Sequence, residues 1–89
     1  MRVKLRAVGF IASKIGPETS IDARRGSTLG QVVSLIFKKY DLGEVNPTPG
    51  GLKMNPGYMR ILLNGKELGF DVKVKDGDEV TLLPPFVGG

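Results

Sequence analysis

The chain has no cysteine and no histidine among its 89 residues. Without cysteine it cannot form disulfides, present a thiol nucleophile or build a cysteine-based zinc site. Without histidine, the hydroxyl groups of Ser27 and Thr28 have no imidazole base, and we interpret these residues as helix caps. If the protein takes part in covalent chemistry, a terminal carboxylate is a better candidate than any side chain.

Long apolar runs and phosphate-binding loops are also missing from the sequence. No run approaches the ~20 apolar residues that span a bilayer, and residues 1–6 alternate charged with apolar residues, unlike a signal peptide. Gly65-Lys66 is followed by Glu67, so there is no Walker-type loop, and no G-x-G-x-x-G opens a helix. An apolar content of 40% and a charged content of 25% predict one small globular domain. The cytoplasm is its simplest location.

The charge of the chain is mild and dispersed. The net charge is +4, and only Arg24-Arg25 and Lys38-Lys39 are adjacent basic residues, so we predict neither a nucleic-acid nor a membrane partner. Asp76, Asp78 and Glu79 form a compact acidic group, but no loop around them completes a calcium-type ligand set. We interpret them as a polar turn before a strand and predict no metal site.

Two alternating segments near the start of the chain predict paired strands. In residues 2–8 and again in residues 19–24, every second side chain is apolar, which is typical of a strand with one buried face. The segment between them, residues 9–17, contains the breaker Gly16-Pro17. We therefore predict a hairpin in which residues 9–17 form the connection.

The apolar spacing then changes to that of a helix. The apolar positions i, i+3, i+4, i+7, i+8 and i+11 are Leu29, Val32, Val33, Ile36, Phe37 and Tyr40. They predict an amphipathic helix of about three turns. Ser27 or Thr28 can cap its start, Thr28 with Gln31 fits a capping box, and Gly43 is placed for a left-handed cap at its end.

The second half of the chain alternates turns with short apolar segments. Residues 44–57 are rich in proline and glycine, which predicts a long loop. Tyr58–Leu63 is a predicted strand that meets the tight-turn pair Asn64-Gly65, and residues 66–68 return as a short strand. A last strand is predicted over Glu79–Leu83.

The order strand, strand, helix, strand, short strand, strand predicts an α+β fold. One amphipathic helix must cover one face of a mixed sheet, because neither can bury its apolar side alone. The first and last strands are rich in apolar residues and are best placed side by side in the centre. This is the β-grasp, or ubiquitin-like, architecture with about five strands. We expect the domain to span residues 1–84 and an extended tail to follow in residues 85–89.

The outer face of the sheet, opposite the helix, is a candidate surface for binding a partner. If the first and last strands are parallel neighbours, Val8 and Leu83 meet on this face near the start of the tail, and Phe86 adds a third apolar group. An exposed apolar cluster bordered by Arg and Lys is typical of a protein-binding surface. The alternative is that Phe10 or Ile15 folds back over it.

The C-terminal segment combines conformationally restricted prolines with glycines, which have no side chain. Its residues are Pro84, Pro85, Phe86, Val87, Gly88 and Gly89. The two prolines restrict φ and favour an extended path, whereas the two glycines have no Cβ and can pass through a narrow channel. We predict that this segment threads into a partner and delivers the carboxylate of Gly89.

A series of short motifs extends over nearly the whole chain. They are Ile15-Gly16, Gly26-Ser27-Thr28-Leu29, Leu63-Asn64-Gly65, Asp76-Gly77-Asp78-Glu79-Val80, Pro84-Pro85 and Gly88-Gly89. Together they resemble the small, sulfur-carrying subunit of molybdopterin synthase, of the ubiquitin-like sulfur-carrier family. The sulfur carrier of thiamine biosynthesis shares the fold and the Gly-Gly end but usually lacks the two prolines. The loop of residues 45–57 is longer than in the simplest members, which leaves room for a different pathway or partner.

The resemblance implies that Gly89 carries the chemistry and that partner enzymes supply the catalysis. A ubiquitin-activating-type adenylyltransferase, using ATP and Mg, would join the Gly89 carboxylate to AMP. A sulfur donor protein would convert this adenylate to a thiocarboxylate. The large subunit of molybdopterin synthase would then receive the tail, and its pterin precursor would take the sulfur. The chain itself would bind no cofactor and would be a covalent carrier rather than an enzyme.

Other uses of the same features stay open. An activated Gly89 could form isopeptide bonds with lysine amines, as a ubiquitin-like protein modifier does, or carry sulfur for thiamine synthesis or tRNA thiolation. A nucleic-acid-binding or scaffolding β-grasp module is a further alternative, but it assigns no role to the Pro-Pro-x-x-Gly-Gly segment.

Overall fold

The computed structural model describes residues 1–43, 45–48, 51–53 and 58–84. Within these residues the chain forms two helices and six strands. In chain order they are β1 (Arg2–Ala7), α1 (Phe10–Ile15), β2 (Glu18–Asp22), α2 (Leu29–Lys39), β3 (Asn46–Thr48), β4 (Gly51–Lys53), β5 (Tyr58–Leu63) and β6 (Glu79–Leu83). The tail candidates Pro85, Phe86, Val87, Gly88 and Gly89 lie outside the described residues, so the boundary between domain and tail stays a prediction.

The strands of the described residues form one mixed sheet in the order β2-β1-β6-β5-β4-β3. Strand β1 is antiparallel to β2 and parallel to β6, and Leu5 lies opposite Val80 in the parallel pair. Strand β5 is antiparallel to β6, with Ile61 opposite Leu82. The first and last strands are therefore neighbours near the centre, and the predicted β-grasp architecture is confirmed.

The core lies between one face of the sheet and helix α2. Strand β1 alternates exposed and buried residues along its length, and Val3, Leu5 and Ala7 are the buried ones. On α2 the buried residues are Leu29, Val32, Val33, Ile36 and Phe37. Each fully buried Val, Leu or Phe stabilises the fold by about 1.5–3 kcal/mol relative to an exposed side chain. The apolar positions that predicted the helix, from Leu29 to Phe37, are thus the ones buried in the core.

Helix α2 begins as predicted, at a capping box. The backbone N–H of Gln31 donates to the Thr28 hydroxyl oxygen at 3.2 Å, and the Thr28 N–H donates to Oε1 of Gln31 at 2.8 Å. The next two N–H groups, of Leu29 and Gly30, donate to carbonyl oxygens of the segment between β5 and β6. The first turn of the helix is therefore satisfied by its own cap and by a neighbouring segment.

The end of helix α2 differs from the prediction, which placed the left-handed cap at Gly43. The helix ends at Lys39, and Asp41 (φ 54°) takes the left-handed conformation instead. The N–H of Leu42 then donates to the carbonyl of Phe37 at 2.9 Å, which closes the last turn. Gly43 also has a positive φ, of 99°, but it lies beyond the cap.

The connection between β1 and β2 contains a helix that was not predicted. Helix α1 has six residues, and its buried residues Ile11 and Ile15 are one turn apart. A single i, i+4 pair is too short a pattern to reveal a helix by period. Burial of Ile11 and Ile15 against the sheet explains why this segment is helical.

Two further predictions about the second half were wrong. Residues 66–68 do not form a strand: within the described part of the chain they contribute one isolated bridge, between Leu63 and Lys66. Conversely, part of the predicted loop of residues 44–57 forms strands β3 and β4, which extend the sheet beyond β5. Both strands have three residues: β4 pairs with β5, and β3 pairs with β4 at the edge of the sheet. This pairing, rather than local propensity, creates them. Over the described ranges, no helix is long and apolar enough to cross a membrane.

Candidate functional site

Strands β1 and β6 end side by side where the chain continues into the tail. The last register pair of the parallel ladder is Ala7 with Leu82, and the N–H of Val8 donates to the carbonyl of Leu82 at 3.0 Å. Leu82 is fully buried beneath the helix. Because side chains alternate along a strand, Leu83 and Val8 belong to the opposite, outer face of the sheet.

The outer face carries an apolar group at this end of the sheet. Val8 is 40% exposed, and Leu83 and Leu62 are half-buried. Arg60 lies opposite Leu83 in the register of β5 and β6. We call Val8, Leu62 and Leu83 the outer apolar patch. Leu62 was missed by the sequence analysis, although the alternation of buried residues in β5 would have placed it on the outer face.

The two residues that could have covered the patch behave differently. Ile15 is 8% exposed and belongs to the core, so it is not available to cover the outer face. Phe10 is 42% exposed, the first residue of α1, and close in sequence to Val8. Phe10 is therefore an additional exposed aromatic residue, two positions after Val8.

Arg60 and Arg6, on the outer face, form exposed ion pairs. Nε of Arg60 donates to Oε1 of Glu67 at 3.2 Å, and a second guanidinium nitrogen contacts the other carboxylate oxygen. The hydrogen bond from Arg60, followed by its positive charge, lowers the pKa of Glu67 below its ordinary value. A guanidinium nitrogen of Arg6 lies 3.8 Å from Oε1 of Glu18 in a second, longer ion pair. Exposed pairs of this kind contribute little to stability, so their main effect is to orient charge around the patch.

The acidic residues before β6 have structural contacts, as expected for a polar turn. Oδ1 of Asp76 accepts the N–H of Arg2 at 2.7 Å, and Oδ2 of Asp78 accepts the N–H of Lys75 at 2.7 Å. The first bond attaches the turn to the start of β1, and the second lies within the turn. In the described part of the chain, no group of three or more acidic residues is arranged to hold a metal ion.

The predicted Asn64-Gly65 turn fixes the start of β6. Both residues have positive φ, 52° and 80°, as a two-residue hairpin turn requires. The Asn64 side-chain oxygen accepts the N–H of Glu79 at 2.9 Å, and its amide nitrogen donates to Asp78 at 3.1 Å. Strand β6, which leads into the tail, is thus anchored at its first residue.

Of the residues predicted to thread into a partner, Pro84 falls within the described range. It is half-buried and directly follows β6. The structure thus places Val8, Leu83 and Pro84 at one end of the central strand pair. The other predicted candidates, Pro85, Phe86, Val87, Gly88 and Gly89, lie outside the described residues, and their roles stay predictions.

Comparison with known proteins identifies the family. The sequence profile of the ThiS family matches residues 8–89. The fold is similar to that of a protein described as molybdopterin converting factor, subunit 1, from Pyrococcus furiosus, with 21% identity, 97% of this chain and 99% of that chain covered, and a TM-score of 0.75. It is also similar to small archaeal modifier protein 1 of H. volcanii, with 19% identity, 96% and 98% covered, and a TM-score of 0.75.

A further similar chain comes from a protein complex. It belongs to the complex of subunits 1 and 2 of the molybdopterin-converting factor from Helicobacter pylori, with 26% identity, 100% of both chains covered, and a TM-score of 0.62. No curated protein sequence matches at a significant level. Because the family profile covers nearly the whole chain and the fold agrees, the chain belongs to the ThiS family of ubiquitin-like sulfur carriers.

Proposed function

We propose that this sulfur carrier is the small subunit of molybdopterin synthase and donates sulfur from a thiocarboxylate at Gly89 in the biosynthesis of the molybdenum or tungsten cofactor. The observation that carries the proposal is the match to the ThiS family through residue 89, which includes the Gly-Gly motif. The similarity to the Helicobacter pylori chain over the full length of both chains supports the assignment to this pathway.

The proposed chemistry takes place at the Gly89 carboxyl group and uses partner enzymes. A carboxylate oxygen attacks the α-phosphorus of ATP in the activating adenylyltransferase, and pyrophosphate leaves. The terminal sulfur of a persulfide on the donor protein then attacks the acyl carbon and displaces AMP. A second thiol cleaves the S–S bond of the resulting acyl disulfide, which releases the thiocarboxylate and leaves a disulfide. The chain's own contribution is to present Gly89 in a productive position, since positioning supplies much of the rate in such transfers.

The outer apolar patch is the proposed docking surface for both partners. The activating enzyme and the large subunit must receive the same tail, so each has to contact the end of the sheet from which the tail extends. Val8 and Leu83 lie at that end, and Leu62 extends the apolar area onto β5. Phe86 is proposed to contribute as well. Overlapping surfaces imply that the two partners bind mutually exclusively.

A ubiquitin-like protein modifier is the second candidate, supported by the likeness in fold to small archaeal modifier protein 1. The same adenylate at Gly89 would then be attacked by a lysine amine instead of a sulfur donor. The two functions leave different products: a thiocarboxylate on the free carrier in one case, and conjugates of higher mass in the other.

The deciding experiment combines mass spectrometry with reconstitution. The carrier is incubated with its activating enzyme, ATP, Mg and a sulfur donor, and its intact mass is measured. A gain equal to the difference between sulfur and oxygen is expected. The loaded carrier is then mixed with the large subunit and the pterin precursor, and molybdopterin formation is followed. Loading without molybdopterin formation would assign the carrier to another sulfur pathway, and lysine conjugates without loading would favour the modifier.

A further inference from the structure

Gly9 has a backbone conformation that other residues rarely adopt. Its φ is 70° and its ψ is −143°, in a region populated almost entirely by glycine. The residue directly follows Val8, whose N–H makes the last bond of the parallel ladder to Leu82. The Gly9 carbonyl then accepts the N–H of Ala12 at 3.1 Å, which begins helix α1. At Gly9 the chain therefore turns sharply away from the sheet.

The turn leaves a space that Pro84, the residue before the tail, fills. A Cβ built on Gly9 would lie 3.3 Å from Cγ and 3.4 Å from Cδ of Pro84, so the proline ring rests directly on the Gly9 backbone. The next bond of a parallel ladder would run from the N–H of residue 84 to the carbonyl of Val8. Proline has no N–H to make that bond. At Pro84, the ladder bond is thus replaced by a packing contact.

We propose that Gly9 is a positioning residue for the tail: by leaving room for the Pro84 ring, it sets the direction in which the chain continues beyond β6. The inference rests on the proposed function, in which Gly89 must enter a partner's active site. Pro84 is followed by Pro85, and consecutive prolines favour a stiff, extended path. The direction of the chain at Pro84 should therefore determine where Gly88 and Gly89 lie.

The length of the tail amplifies a change at its base. Five residues follow Pro84, and an extended chain of that length reaches about 17 Å. A rotation of about 10° at Pro84 would move the far end by about 3 Å over that reach. A misplacement of about 1 Å at a reacting atom can cost on the order of a hundredfold in rate. A methyl group on Gly9 is therefore expected to affect transfer more than folding.

The chain supplies a matched control at the other end of helix α1. Gly16 also has a positive φ, 88°, and caps the helix, but a Cβ built there would have no neighbour within 4 Å. Gly9→Ala and Gly16→Ala therefore impose similar backbone strain beside the same helix. They differ in contact with Pro84, so a comparison of the two variants separates the effect of this contact from the effect of lost stability.

The kinetic test is pyrophosphate exchange with the activating enzyme at varied carrier concentration. For Gly9→Ala we expect kcat to fall about tenfold or more and KM to change less than about twofold, because docking is intact and the tail is misdirected. Gly16→Ala should leave both constants within about twofold of the wild type. In the double variant Gly9→Ala/Pro84→Ala, the ring atoms that the new methyl group meets are gone. Adding Gly9→Ala to Pro84→Ala should therefore lower kcat much less than adding it to the wild type.

A second measurement on the free carrier does not depend on sulfur chemistry. Because the chain has no native cysteine, Lys4→Cys on the outer face provides a single site for a nitroxide spin label. Broadening of the amide resonances of residues 86–89 by the label then reports the tail's direction. We expect the broadening pattern to change in Gly9→Ala and in Pro84→Ala and to be unchanged in Gly16→Ala.

The two measurements separate failure of the inference from failure of the proposed function. If wild-type carrier is not adenylated, the proposed function is wrong, and the spin-label pattern alone decides the role of Gly9. If Gly9→Ala does not fold, Pro84→Ala tests the same contact from the other side. The inference would be overturned if Gly9→Ala and Gly16→Ala gave the same broadening pattern and the same kcat. It would also be overturned if Pro84→Ala left both the broadening pattern and kcat unaltered.

Discussion

The N–H of Val8 donates to the carbonyl of Leu82 at the end of the parallel pair β1–β6. This bond places Val8, the residue after β1, next to Leu83, the last residue of β6. The sheet thus joins residues from the two ends of the sequence into one surface beside the start of the tail. Substitutions at this surface should separate partner binding from folding.

Leu83→Asp is predicted to impair docking much more than stability. The side chain is half-buried on the outer face, and a carboxylate there would have to be desolvated against a partner. We expect binding to the activating enzyme to weaken at least about thirtyfold, equivalent to about 2 kcal/mol, by isothermal titration calorimetry. Leu35→Asp is the matched control, because Leu35 is 38% exposed on helix α2 and remote from the patch. Unchanged affinity, or loss of folding in Leu83→Asp, would place the docking surface elsewhere.

Deleting Gly89, or placing one residue after it, is predicted to abolish sulfur loading. The proposed adenylate forms on the Gly89 carboxylate itself. Deletion removes this group, and an added residue converts it into a peptide bond. The melting temperature should stay within about two degrees of the wild type, as expected for a terminal segment. Intact mass after incubation with the activating enzyme, ATP and the sulfur donor is the measurement. A thiocarboxylate on either variant would contradict the assignment of Gly89.

Gly88→Val is predicted to block activation without affecting folding. A β-branched side chain restricts φ and ψ and adds bulk where the proposed channel of the partner requires a bare backbone. Pyrophosphate exchange should fall to near background, whereas calorimetric binding through the outer apolar patch should be retained. Exchange at the wild-type rate would show that the channel is not narrow at this position.

The secure predictions from sequence were those determined by neighbours in the chain. The capping box of Thr28 with Gln31, the helical period of α2 and the Asn64-Gly65 turn depend on residues a few positions apart, and all three are present. Helix α1 was missed because it is short and depends on packing against the sheet, and strands β3 and β4 were missed because they have three residues each and depend on pairing with β5 and with each other. Such tertiary effects override weak local preferences.

In the candidate site, too, features set by residue type could be predicted from the sequence, and features set by tertiary contacts could not. The glycines and prolines of the C-terminal segment can be recognised in the sequence because their residue types define their backbone properties. The role of Gly9 cannot be recognised in this way, because it arises from contact with Pro84 at the other end of the chain. The alternation of β5 places Leu62 on the outer face, but its position opposite Thr81, diagonal to Leu83, depends on the register of β5 and β6.

Asp41→Asn is predicted to stabilise the protein. Asp41 occupies the left-handed conformation (φ 54°), which asparagine tolerates better, and its charge lies at the negative end of the α2 dipole. We expect the free energy of unfolding to rise by about 0.5–1 kcal/mol, measured by urea denaturation. Asp41→Ala separates the causes, because it removes the charge but keeps the backbone strain. An equal gain in both variants would assign the effect to charge alone.

Glu67→Gln is predicted to reduce stability at neutral pH and to lose this effect in acid. The hydrogen bond from Arg60, together with its charge, lowers the pKa of Glu67 in the folded state. The pair therefore stabilises the fold at pH values above the ordinary glutamate pKa of about 4.3 and loses this contribution as the pH falls through the lowered value. Urea unfolding of the wild type, Glu67→Gln, Arg60→Gln and the double variant across pH 2–7 isolates the coupling between the two side chains. The coupling should be small, as for other exposed pairs, and should weaken with added salt. A coupling that persists in acid, where Glu67 is protonated, would show that charge plays no part in it.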